Sequence, residues 1–315
     1  MAAEHTGPTG PAAMTGVGAG AAGTAEQTRI HNIGYRNYDG PRLGRAYATR
    51  SLYSQSLRGA YGLGRSAKSK VLPVILLVAM VAPALIIVAV TVATKAKDLP
   101  LDYTRYAIIL QAVIGLYLAA QAPVSVSRDL RFKTVPLYFS RPIEHGDYVR
   151  AKYAAMASAL FILTALPLLV LYVGALLAKL DFADQTKGFL QGLVSVALLC
   201  LLFAGIGLVI SAITPRRGFG IAAVIAVLTI SYGAVSTVEA IAFNQGSRDV
   251  VGWLGLFSPI TLIDGVQSAF LGASSAAPGA PDISAGQGVV YLVVVLGLIA
   301  GCYGLLMRRY RKVGL

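Results

Sequence analysis

The 315-residue chain is short of charge, and the little it has is one-sided. Only 13% of its residues are Asp, Glu, Lys or Arg, with 14 acids against 27 bases. A soluble domain carries about 25% charged residues because its surface must be solvated. Here 56% of residues are hydrophobic and the mean hydropathy is +0.67. The apolar residues gather into runs longer than ~18 residues, the length a membrane crossing needs. A soluble helical core would break such runs with a polar face. The short alternating strands of a β-barrel are missing too. The composition therefore indicates an all-α integral membrane protein. The net charge of +13 is explained by basic loops beside a membrane, so no nucleic acid is expected as a partner.

Other absences narrow the chemistry. The three histidines, His5, His31 and His145, all lie outside the apolar runs, which excludes paired haem ligands and an intramembrane Ser–His pair. Cys200 and Cys302 fall inside such runs and build neither a disulfide framework nor a metal site. HExxH and Cys/His clusters are absent, so no catalytic or metal-ligating residue is assigned. The nearest approach to a nucleotide-binding loop, GLGRSAKS (Gly62–Ser69), lacks the second glycine before its lysine and follows no strand. It is a basic anchor at the entry of the first apolar run.

Six spans are expected, roughly Val71–Thr94, Tyr106–Val126, Tyr153–Ala178, Phe189–Thr214, Phe219–Phe243 and Gly288–Met307. Each covers ~30 Å of hydrocarbon at ~1.5 Å per residue. Twenty-one of the 27 Lys and Arg residues lie before the first span, in the 127–152 loop, at Arg216–Arg217 and in the C-terminal tail. All four segments share one side only with six crossings, and the positive-inside rule then makes both termini cytoplasmic. Trp253–Gly272 is apolar but contains Pro259 and Asp264. It is expected to form short re-entrant or interfacial helices on the outer side, between spans five and six. Residues 1–28, rich in Ala, Gly and Thr, are expected to be a disordered tail. They hold no apolar stretch of the kind a cleaved signal peptide needs. Residues 29–70 form a basic cytoplasmic segment, and residues 71–312 the transmembrane domain.

Polar residues within the spans are few. Gln111, Gln121, Gln191 and Glu239 either bond between helices or line a substrate path, and Glu239, near the outer end, has the further option of snorkelling to water. Gly297-x-x-x-Gly301 suits a close helix contact. On the inner side, Leu43, Tyr47, Leu52, Leu57 and Tyr61 share a broad helical face with Arg50 and Arg58 elsewhere. That pattern describes an amphipathic interfacial helix, for lipid anchoring or for a partner. The 127–152 loop is far longer than a hairpin needs, and its Phe132, Leu137, Tyr138 and Phe139 are unexplained by simple solvation.

That loop reads Arg128-Asp-Leu-Arg-Phe-Lys-Thr-Val-Pro-Leu-Tyr-Phe-Ser-Arg-Pro-Ile143 and then Asp147-Tyr-Val-Arg-Ala-Lys152. With its Ser-Arg-Pro-Ile piece, with Phe257-Ser-Pro259 before the last span, and with an amphipathic N-terminal helix, the chain resembles the permease of ABC-2 type transporters from about residue 43 to 312. The acidic residue usual before the loop motif is represented by Asp129. The resemblance implies an exporter subunit in the plasma membrane that dimerises with itself or a second permease. It implies partner ATPase subunits that bind ATP and Mg, with no cofactor on this chain. It also implies that the coupling handle comprises Asp129, Arg131, Phe132, Tyr138, Arg141 and Pro142, with Tyr47 and Arg50 secondary. A self-sufficient secondary transporter is the alternative. The spans lack the recurrent carboxylates of an ion-coupled pump, which weakens it, and a membrane-embedded enzyme lacks its constellation. Weak polarity within the spans leans towards an amphipathic or lipid-like cargo.

Overall fold

The computed structural model describes residues 40, 43–64, 66–132, 137–138, 143–214, 216–275 and 283–313. The helices in order are α1 (Arg45–Ala60), α2 (Ala67–Thr94), α3 (Tyr103–Ile109), α4 (Gln111–Ser125), α5 (Ser127–Arg131), α6 (His145–Leu177), α7 (Phe182–Ile213), α8 (Arg217–Asn244), α9 (Arg248–Leu254), α10 (Pro259–Phe270) and α11 (Ala285–Val313). A single 3-10 turn, Gly255–Phe257, joins α9 to α10. No strand occurs among the described residues.

Five helices, α2, α6, α7, α8 and α11, are long and apolar enough to cross a membrane. α3 and the helix from Gln111 onward meet at a 59° bend and are together long and apolar enough for a sixth crossing if the bent pair is taken as one span. The sequence expectation of one continuous helix from Tyr106 to Val126 is corrected here. Leu110 sits at φ −94°, ψ 18°, the bridge region between α and β. Two phenols hold α3 off the α4 axis. Tyr103 donates to Gln185 Oε1 of α7 at 2.8 Å, and Tyr106 donates to the Met80 carbonyl of α2. α10 has 12 residues and is therefore ~18 Å long, too short for a crossing of ~30 Å. Ser258, extended at φ −128°, ψ 137°, separates it from the preceding turn. The segment is thus a pair of short helices with a break, not a seventh span.

Local chemistry sets the helix ends. Two spans stop at a lysine in the left-handed region, Lys95 at φ 49° and Lys179 at φ 62°. In each case the following amide reaches back to a carbonyl five residues earlier (Ala96 to Thr91, Leu180 to Ala175), satisfying an otherwise orphaned acceptor. α7 starts at Asp181, whose Oδ1 accepts from the Ala183 and Asp184 amides. α6 starts with a reciprocal box between Glu144 and Asp147.

α6 and α7 form the centre. They pack most extensively on each other, with α1 and α2 against α6, and α3 and α4 against α7. Glycines let these helices close up. A Cβ on Gly192 would stand 2.9 Å from Tyr103 Cβ and 3.3 Å from its backbone carbon, and one on Gly207 would stand 2.5 Å from Leu118 Cδ1. Gly297 and Gly301 meet nothing within 4 Å. The close contact expected of that pair is made within the chain by other glycines.

Candidate functional site

The Asp129–Lys152 region is built by three elements meeting at the α1 end of the bundle. α5 is tethered where Ser127 Oγ donates to the Ser211 carbonyl at the end of α7, at 2.8 Å. From α5, Asp129 turns inward. Its Oδ2 accepts from the Tyr148 hydroxyl at 2.7 Å and lies 3.0 Å from Lys152 Nζ, both on α6. Lys152 also donates to the Ser125 carbonyl at the end of α4, at 2.9 Å. The two charges are largely buried, with side-chain exposures of 10% for Lys152 and 16% for Asp129. A pair removed from water to this extent holds only with further hydrogen bonds, and both members have them. Aromatic contacts extend the lock, since Tyr148 packs against Tyr138 at 5.5 Å and against Tyr310 of α11 at 4.9 Å between ring centroids. Loop, third crossing and last crossing therefore meet at one tyrosine.

Beside this lock, α1 is fixed to the start of α6. Arg45 forms ion pairs with Glu144 and Asp147, and Asp147 also receives Arg150 Nη2 at 2.9 Å. The Arg45 hydrogen bond, ahead of the other influences, holds the Asp147 carboxyl below the usual carboxylate range. Further along, Tyr53 donates to Ser158 Oγ at 3.0 Å and Tyr61 to the Ala159 carbonyl at 2.7 Å, while Tyr117 of α4 donates to the Ala60 carbonyl at 3.2 Å. Leu52 and Ala60 are buried on this face. Leu43 and Tyr47, placed on the same face by the sequence pattern, are exposed, because tertiary packing turns α1 towards Tyr53 and Ala60 instead. A cavity of about 270 Å³ lies between the elements, lined by Leu52, Gln55, Gln121, Asp129, Phe132 and Lys152 among others.

The coupling residues named from sequence thus separate by environment. Asp129 is engaged internally and Tyr138 is half-buried on Tyr148. Arg131 lies over the Phe132 ring at 5.7 Å, and both are exposed, Phe132 at 64%. Leu137, 67% exposed, presents a second apolar side chain nearby in sequence. Tyr47 and Arg50 are exposed on α1. Arg141, Pro142 and Phe139 lie outside the described residues. Sequence reasoning passed over Lys152, Tyr148, Arg45, Glu144 and Asp147. Lys152 and Tyr148 stood inside the quoted motif, but nothing in spacing alone pairs them with Asp129.

The four polar span residues do not share one chamber. Gln111, first in α4 after the bend, lines an apolar cavity of about 420 Å³ with Leu116, Phe203, Leu228, Tyr232 and Ile260. Gln121 borders the cavity at the α1 end. Gln191 lines a polar pocket of about 270 Å³ at the other end with Asp98, Asp102 and Asp184. Glu239 is 5% exposed, so it does not snorkel to water. It lies within electrostatic reach of Asp264, which accepts from Gln267 Nε2 at 3.0 Å and Ser275 Oγ at 3.1 Å. Ser195 of α7 donates to Gln267 Oε1 at 2.8 Å, tying α10 to the bundle centre. No cluster of three or more His, Cys, Asp or Glu suited to a metal ion occurs among the described residues.

A family model described as ABC-2 family transporter protein matches residues 63–315. No curated protein matches the chain.

Proposed function

The chain belongs to the ABC-2 family of transporter proteins, and from that premise we propose that it is the permease subunit of an ATP-driven exporter. In this reading ATP and Mg are bound by a separate ATPase subunit, and the α1 end of the bundle, with both termini, faces the cytoplasm. The multi-pass chain sits in the plasma membrane and dimerises with itself or with a second permease. The observation that carries the reading is the division of labour around α5. Arg131 and Phe132 stand in solvent, while Asp129, two residues away, is locked to Tyr148 and Lys152 of α6. A push on the exposed pair reaches a span through a buried, hydrogen-bonded joint rather than through a slack loop.

The ion pairs of Arg45 make α1 part of the same rigid assembly. The cavity at the bend between α3 and α4, apolar apart from Gln111, Thr229 and Tyr232, suits an amphipathic cargo. Co-purification with a co-expressed ABC ATPase subunit from the same genome tests the reading. Wild type is expected to retain that ATPase, and the Arg131→Ala/Phe132→Ala variant to lose most of it while still folding. Absence of the ATPase from the wild-type preparation would overturn the proposal.

One observation favours a second reading, a self-sufficient secondary transporter. Glu239 and Asp264 are both 5% exposed and close enough to interact, and buried intramembrane carboxylates are a mark of ion coupling. Uptake into proteoliposomes driven by a proton gradient without ATP, and lost in Glu239→Gln, would select it.

A further inference from the structure

α1 has two faces, and the bundle uses only one. Leu52, Tyr53, Ala60 and Tyr61 hold it to α4 and α6. The opposite arc borders a groove of about 640 Å³ whose lining includes Tyr47, Arg50, Ser51, Ser54, Arg58 and Leu63. At ~100° and ~1.5 Å per residue, Arg50 and Arg58 lie about 12 Å apart along α1 and within about 80° around it, with Ser54 midway. The ion pairs among the described residues engage Arg45, Arg150 and Lys152 but neither of these two arginines. From Ala46 to Lys97 the sequence contains no carboxylate at all. Among the described residues the groove is therefore a basic, polar-floored cleft whose two arginines form no ion pair.

Its position suits a lipid better than a protein. The turn from α1 into α2 closes through Gly62 at φ +69°, where a Cβ would stand 2.4 Å from the Ser69 carbonyl oxygen, so the groove is held tightly against the start of α2. Val71, Val74 and Ile75 on the next turns are each more than half exposed, on a helix long and apolar enough to cross the membrane. The groove thus opens where headgroups give way to acyl chains. Tyr47 and Leu63, exposed on its rim, supply the aromatic and apolar flank typical of that depth.

We propose that this groove binds the headgroup of an anionic phospholipid. Its phosphate sits between the Arg50 and Arg58 guanidinium groups, which present donors in a planar fork suited to phosphate oxygens. The Ser51 and Ser54 hydroxyls add donors, and the first methylenes lie against Leu63 and the opening turns of α2. The inference needs α2 to cross the membrane but is independent of which chain supplies the energy.

Native mass spectrometry of the full chain, delipidated and titrated with phosphatidylglycerol or phosphatidylcholine, tests the assignment. Wild type is expected to retain phosphatidylglycerol about tenfold or more over phosphatidylcholine. Arg50→Gln/Arg58→Gln is expected to abolish the preference, with helicity and thermal unfolding unchanged because both side chains are exposed. Arg50→Lys/Arg58→Lys is expected to retain part of it through charge alone. Soluble glycerol 3-phosphate in excess serves as the free-phosphate arm and is expected to displace little lipid, since it lacks the acyl contacts. Equal retention of the two lipids, or a preference untouched by the double substitution, overturns the proposal. So does a variant that keeps its lipid but loses the ATPase, which would assign the arc to the partner protein. Should the double variant not be recoverable, the single Arg58→Gln is expected to reduce the preference severalfold, and no reduction counts against the site.

Discussion

Asp129 and Lys152 show what burial does to an ion pair. Taken together they are neutral and satisfied; taken singly, either would be a charge stranded in a nearly dry site. Replacing Lys152 with Met is expected to cost about 3 kcal/mol, most of it from the unpaired Asp129. Asp129→Asn with Lys152→Met together is expected to cost less than the sum of the single changes, as read by thermal unfolding of the detergent-solubilised protein. Arg45 and Asp147 carry a pH dependence of known sign. The Arg45 hydrogen bond favours the ionised form of Asp147 and depresses its pKa. The contribution of this contact is therefore complete above the ordinary carboxylate value of about 4 and is lost as pH falls through the lower folded value. Hydrogen exchange of α1, followed from pH 7 downward, is expected to show protection persisting below pH 4 in wild type. In Arg45→Gln that protection is expected to be weaker already at pH 7 and to change less as pH falls through the carboxylate range.

At the scale of elements, glycine placement makes a direct comparison possible. Gly192 faces the Cβ and backbone of Tyr103, neither of which can rotate away, and Gly207 faces the fully buried Leu118. Gly192→Val is expected to destabilise the bundle by about 1–3 kcal/mol through overpacking. Gly297→Ala, where nothing lies within 4 Å, is expected to leave the unfolding temperature of the isolated chain unchanged. Within the chain, Gly297 and Gly301 face open space while Gly192 and Gly207 make the close contacts. GxxxG marks capacity for close approach, but which glycine meets a neighbour is decided by how the helices rotate against one another.

The break at Leu110 was hidden for a related reason. Tyr106–Val126 reads as one apolar run, and the contacts that bend it reach Gln185 and Met80, far away in the chain. The spans themselves were legible because lipid demands an unbroken apolar length, and each such length is a local property. Trp253–Gly272 is marginal as a span by sequence, and Pro259, Asp264 and the basic Arg308–Lys312 tail point to short re-entrant or interfacial helices. The 12-residue length of α10 settles it as too short to cross.

For the whole molecule, the polar contacts fall into two groups. At the α1 end, Asp129, Tyr148, Lys152, Arg45 and Asp147 join the loop helix, the first helix and the third crossing into one unit. At the other end, Ser195, Gln267, Asp264 and Ser275 hold the short α10 against α7. Between them the packing is apolar and glycine-mediated, and the cavity at the α3–α4 bend is lined mainly by apolar side chains. In the proposed reading, such an arrangement suits a gate moved from the α1 end by a separate ATPase. The loop motif quoted from the sequence contains Asp129, Tyr148 and Lys152, but spacing along the chain does not show that the three bond to one another. Asp129 is bonded to α6, whereas Arg131 and Phe132 two and three residues on are exposed.

ATP hydrolysis by a co-expressed ABC ATPase subunit from the same genome, measured with and without this chain in the same bilayer, tests the central claim most directly. The chain is expected to change the hydrolysis rate severalfold. Arg131→Ala/Phe132→Ala is expected to remove that change while leaving the thermal unfolding of the chain within about 0.5 kcal/mol of wild type, as suits exposed positions. An ATPase whose rate is the same in the presence of wild-type chain, variant chain and empty bilayer would contradict the assignment of this protein as its permease.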